Sequence, residues 1–167
     1  MLSFGQFITE LFDKKRDISY DGVVYTDPSK IMAIHNYSFS DHKGRKYRAR
    51  IAHIRGDDQA TVEFSDHNGD TDVTGKSGHG ALHVFGAINQ VLDYHTKHHL
   101  SKSENSYITK YSFDSEKEKT PGRWNRYQEG SRSKLYRKFT EKMGGESHVG
   151  SDTNPYTHHI VPVKRDN

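Results

Sequence analysis

The run Gly75-Lys76-Ser77-Gly78-His79-Gly80 stands just ahead of a strongly amphipathic stretch. A glycine-rich turn that opens a helix exposes backbone N–H groups at the positive end of the helix dipole, and that combination suits a pyrophosphate or another anion. Gly78, His79, Gly80 and Ala81 are therefore the candidate anion-binding residues; the plainer reading is a structural glycine turn. A nucleotide-binding P-loop is excluded by spacing. Gly75-Lys76-Ser77 spells its end, but Asp70 stands where its first glycine belongs, and Gly69 is one position early.

Histidine is abundant, with 12 residues, and cysteine is absent. The lack of cysteine removes disulfides, thiolate nucleophiles and cysteine-based zinc sites. His79 with His83 has the i, i+4 spacing that can chelate zinc, and His95, His98 and His99 fall within one helical turn. No H-E-x-x-H motif accompanies them and no carboxylate lies inside either group. They read as a wet helix end and a satisfied histidine near a turn, so no metal is expected. Arg123, Arg126, Arg132, Arg137 and Lys138 crowd one segment together with Trp124 and Tyr127. Guanidinium forks and aromatic faces suit phosphate or nucleic acid, although most such runs are solvated helix faces.

The elements that must position these groups follow from periodicity. Phe4, Phe7, Ile8, Leu11 and Phe12 make one apolar helical stripe at the N-terminus. So short a helix cannot stand alone in water, so it must dock on this chain or on another protein. Lys14 to Asp21 reads as a polar connection. Residues 31–39, 47–53 and 61–64 alternate with period two and predict antiparallel strands separated by turns. Ala81, Val84, Phe85, Ile88, Val91, Leu92 and His95 predict a long helix that frays near His98 and His99. Residues 107–113 predict a further strand. Ser131 is the expected N-cap of a helix that buries Leu135, Tyr136, Phe139 and Met143 and stops at Gly144 and Gly145. Residues 158–163 predict the last strand. The sum is an α+β chain with one mixed, mostly antiparallel sheet and helices packed on its faces.

Composition bounds the rest. With 167 residues the expectation is a single domain over 20–163, preceded by the helix of residues 1–13 and followed by a polar tail, 164–167. Only 31% of residues are hydrophobic, so eight Phe and ten Tyr must supply much of the core. The net charge of +3 is too small to diagnose nucleic-acid binding. No run of about 18 apolar residues suggests a membrane helix.

Two resemblances attach to these residues. The run Phe4-Gly5-Gln6-Phe7-Ile8-Thr9-Glu10 resembles the capsid-targeting peptide of internal head proteins of T-even-type tailed phages. That resemblance implies cargo carried into a prohead and cut by the prohead protease, here between Glu10 and Leu11, with Ile8 as the upstream hydrophobic residue. The run from Ile8 to Asp13 and the later course of the chain are also similar to the non-catalytic N-terminal region of head-packaged phage ADP-ribosyltransferases. Glu116-Lys117-Glu118 copies their E-x-E motif in spelling alone, so transferase activity is not carried over. The implied partners are the prohead core or capsid, the protease and packaged DNA; the implied location is the phage head interior or the host cytoplasm.

The order of elements resembles the acetyl-CoA-dependent N-acyltransferase superfamily, the GNAT fold. In that family the loop after the fourth strand holds the CoA pyrophosphate through a Q/R-x-x-G-x-G/A pattern. Gly78 and Gly80 match its glycines, while Gly75 replaces the expected Gln or Arg. The resemblance implies Tyr136 as general acid toward the leaving thiolate and Glu63 as base through water. Two expectations result. The first is a virion-packaged, non-enzymatic internal head protein that needs no cofactor. The alternative is an N-acetyltransferase using acetyl-CoA.

Overall fold

The computed structural model describes residues 15–26, 32–41, 43–69 and 78–166, with the backbone alone for 78–82 and 103. Strands β1 (Ile18–Tyr25), β2 (Met32–Ser40), β3 (Lys46–Ile54) and β4 (Gln59–Asp66) form an antiparallel meander. Helix α1 (Gly78–His95) follows and crosses over to β5 (Lys110–Glu116), which pairs parallel with β4. A small ribbon of β6 (Glu118–Lys119) and β7 (Tyr127–Gln128) precedes helix α2 (Ser131–Lys142). Strands β8 (Glu146–His148) and β9 (Tyr156–Pro162) close the chain. The main sheet has seven strands in the order β1-β2-β3-β4-β5-β9-β8. This is the mixed, mostly antiparallel α+β fold that the pattern of elements predicts. The parallel β4–β5 pair requires a long crossover, which α1 supplies.

The core lies between one sheet face and the two helices. In β3, Tyr47, Ala49, Ile51 and His53 are buried while Lys46, Arg48 and Arg50 are exposed, so the alternation sets the inward face directly. Val62 and Phe64 of β4 and Tyr111 and Phe113 of β5 continue that face. Helix α1 covers it with Val84, Phe85, Ile88, Val91 and Leu92. Helix α2 adds Tyr136, Phe139 and Met143. The helices meet where Phe85 stacks on Phe139, with ring centroids 3.8 Å apart. Among the described residues, no helix is long and apolar enough to cross a membrane.

Four local expectations change. The segment read as a polar connection enters β1 at Ile18, because Ile18 and Tyr20 pair with Phe39 and Tyr37 on the core face. A bulge at Gly22, with φ at +105°, then turns the outer half of the strand. Ahead of it, the Arg16 backbone N–H donates to Gln90 Oε1 of α1 at 2.9 Å. The end of α1 does not fray. It widens into a π turn over Thr96–Leu100 that delivers Leu100 into the core. The N-cap of α2 is Gly130 in extended conformation, with Ser131 the first helical residue and no side-chain cap. Finally, β8 is an additional strand on the far edge, too short to show a period in sequence.

Phe85 joins both helices to β4, since it also meets Phe64 and Tyr136 at 6.1 and 4.7 Å. Phe85→Ala is expected to lower unfolding free energy by about 3–5 kcal/mol. Urea unfolding measures it; a loss below about 1 kcal/mol would show that this junction is not part of the core.

Candidate functional site

The β4–β5 ladder is three residues long: Gln59, Ala60 and Thr61 pair with Lys110, Tyr111 and Ser112. Beyond it each strand follows its other neighbour. β4 stays with β3 as far as the Tyr47–Asp66 pair, and β5 stays with β9 as far as Glu116–Tyr156. The two strands therefore diverge inside one sheet. Tyr136 of α2 plugs the apex, stacked on Phe64 at 5.7 Å and tilted against Phe113 at 5.9 Å. A cleft of about 600 Å³ opens between the strands.

Tyr136, Glu63 and Arg132 all line this cleft. Glu63 of β4 is thus brought together with Arg132 and Tyr136, which stand one turn apart on α2. Tyr136 is 4% exposed and reaches the cleft from the helix side, while Glu63 stands on the solvent face of β4. Arg50 lies across from Glu63 at 3.6 Å, and Asp114 accepts from His158 at 2.7 Å. The rim therefore holds both signs of charge. Beyond the ladder, the facing edges of β4 and β5 offer backbone N–H and C=O groups to a bound chain.

The remaining basic residues do not converge there. Arg126 pairs with Asp152 at 2.6 Å, and Arg137 with Glu129 at 3.2 Å. Arg123 and Lys138 are exposed on the loop and on α2. Gly78 and Gly80 form the first turn of α1 in backbone. The loop that precedes them, including Gly75, and the side chains of His79 and Ala81 lie outside the described residues, as do Ile8, Glu10 and Leu11.

Beside the cleft sits a buried hub. His159 Nε2 meets Ser115 Oγ at 2.7 Å, and its Nδ1 meets Ser147 Oγ at 2.7 Å and Thr140 Oγ1 at 3.2 Å. Ser115 lines the cleft, so the pair has the reach of a nucleophile and base. The ring's second nitrogen, however, meets hydroxyls, with no carboxylate to hold it as a base. The hub fastens β5, β8 and α2 to β9.

A second buried cluster gathers His35 of β2, His53 of β3 and His95 of α1, with ring nitrogens within 4.8 Å of one another. As a possible ligand the sequence grouped His95 with His98 and His99, and did not join it to His35 or His53. The available signal was different: each of the three sits at a core-facing position of its own element. His35 pairs with Ile51, and His53 with Ala33, so the two strand histidines are diagonal neighbours on one face.

No family model matches the chain, and no curated protein matches it. Among solved structures, it is similar to the crystal structure of a "putative acetyltransferase" from Sphaerobacter thermophilus. That similarity has a TM-score of 0.43 and 11% identity, covering 96% of this chain and 87% of the other.

Burial holds these imidazoles neutral. Desolvation pushes His35 down to about 3 and both His53 and His159 down to about 4. His95 is lowered further, by burial and then by its histidine neighbours. The unfolded chain takes up protons near pH 6.5 that the folded chain refuses. Stability from these groups is thus complete above about pH 6.5 and is lost as pH falls toward the folded values. Each deeply buried histidine is expected to lower unfolding free energy by about 2 kcal/mol between pH 7 and pH 5. Urea unfolding at the two pH values checks this, and equal stability at both would contradict it.

Proposed function

We propose that the chain is a GNAT-type N-acyltransferase that moves an acetyl group from acetyl-CoA to an amine in the β4–β5 cleft. The observation that carries the reading is the divergence of the one parallel strand pair, with Tyr136 at its apex and Glu63 on its outer wall. An extended, amide-bearing arm such as that of CoA fits strand edges whose ladder ends at Thr61 and Ser112. The amine then attacks the thioester carbonyl carbon. A C–N bond forms, the C–S bond breaks, and the oxyanion is met by backbone N–H groups of β4 past Thr61. Glu63 removes the ammonium proton through water, and the Tyr136 hydroxyl protonates the departing thiolate.

The chain has no cysteine, so released CoA thiol can be followed without background from the protein. Calorimetry should show acetyl-CoA binding, and a panel of amines should contain one that releases thiol. Tyr136→Phe keeps the ring stack and should lower kcat roughly a hundredfold with little change in binding. No heat at millimolar acetyl-CoA would remove the proposal.

A second reading, packaging into a phage head, is supported by the resemblance of residues 4–10 to a capsid-targeting peptide. The intact mass of the protein from purified particles should then lack residues 1–10. A full-length mass from mature particles would contradict it.

A further inference from the structure

We infer that His35, His53 and His95 form a binding site for a divalent transition metal of the zinc class, at the opposite end of α1 from its glycine turn and away from the β4–β5 cleft. The three rings come from three elements and converge. His53 Nε2 and His95 Nε2 face each other at 2.6 Å, and the ring centroids of His35, His53 and His95 are 4.7 to 4.9 Å apart. Around a tetrahedral zinc with Zn–N near 2.0–2.1 Å, neighbouring nitrogens stand about 3.3 Å apart. The Nε2 pair would open by a fraction of an ångström, and the third nitrogen would close in.

The surroundings are those of ligands rather than of ordinary core histidines. Tyr37 Oη lies 2.6 Å from His95 Nδ1, and Tyr20 Oη lies 3.1 Å from His35 Nδ1. Each hydroxyl occupies one ring nitrogen, as outer partners of metal-bound imidazoles do; the other nitrogen of His95 is hydrogen-bonded to His53 Nε2, the contact a metal would replace.

A fourth histidine supplies an independent sign. His99 stands on the π turn, its ring 4.5 Å from that of His35 and 5.0 Å from that of His95. Among the described residues, its buried Nε2 has no hydrogen-bond partner. An orphaned buried nitrogen is costly, and the fourth position of a metal would satisfy it, directly or through water. The π turn is what places it there, since it follows His95 without a break; such turns concentrate at functional sites. A cavity of about 370 Å³, lined by His35, His53 and His99 with Glu104 and Lys102, gives an ion a way in. A set of imidazoles without carboxylates selects zinc, cobalt, nickel or copper over magnesium and calcium.

The test uses the full chain stripped with a chelator. Zinc titration by calorimetry should show one equivalent bound and a raised melting temperature, and magnesium should do neither. Cobalt should give the intense visible band of a four-coordinate ion. His53→Gln should weaken zinc binding by roughly a hundredfold or more, since even the loss of an outer partner costs ten- to a hundredfold. His98→Ala, at an exposed neighbour, should leave it unchanged. Uptake unaltered by His53→Gln overturns the inference. If that variant does not fold, the wild-type spectrum decides: a pale six-coordinate cobalt band, or no uptake, overturns it equally. Acetyl-CoA binding is read separately, so either site can fail alone.

Discussion

The structure turns on a ladder that stops early. Over three residues β4 and β5 hold together as parallel neighbours, and then each is claimed by its antiparallel partner on the other side. A continuous ladder would seal the sheet and leave Tyr136 a plain core residue. Because the ladder ends, the aromatic ring has to occupy the apex, flanked by Phe64, Phe85 and Phe113. The packing that stabilises the junction of sheet and helices thus also shapes the cleft. Under the proposed function Tyr136 serves both fold and chemistry, and its ring and hydroxyl can be separated experimentally.

Much of the framework was legible because period-two alternation in β2, β3 and β4 and the wide stripe of α1 are local signals. Tyr136, Phe139 and Met143 are buried where α2's periodicity places them. The first half of β1 was not legible: two apolar residues, Ile18 and Tyr20, in the polar run that ends at Asp21 become a strand only when Phe39 and Tyr37 lie beside them. The π turn was hidden for a related reason. Its sequence, Thr-Lys-His-His-Leu, reads as a wet helix end, yet Leu100 is fully buried and draws the widened turn inward. The meeting of Glu63 with the α2 pair Arg132 and Tyr136 in one cleft depends on how the strands and α2 assemble, which no single segment encodes.

The histidines show how a polar chain fills a core. With 31% hydrophobic residues, inward positions are taken by His35, His53, His95 and His159, and aromatic rings pack around them. The two clusters differ in their neighbours. His159 is satisfied by hydroxyls from three elements and acts as a fastener. The cluster at the end of α1 has mainly other imidazoles and tyrosines for company, and one nitrogen, His99 Nε2, without a hydrogen-bond partner among the described residues. Equal burial therefore leads to different expectations, decided by what each ring can hydrogen-bond.

The central claim is that an extended ligand occupies the gap between β4 and β5. Residue-resolved hydrogen exchange with and without acetyl-CoA tests it most directly. Slowed exchange confined to amides within 62–66 and 113–116 and to the start of α1 is the result this account predicts. Unchanged exchange along both strand edges, or protection only at surfaces remote from the gap, would contradict it.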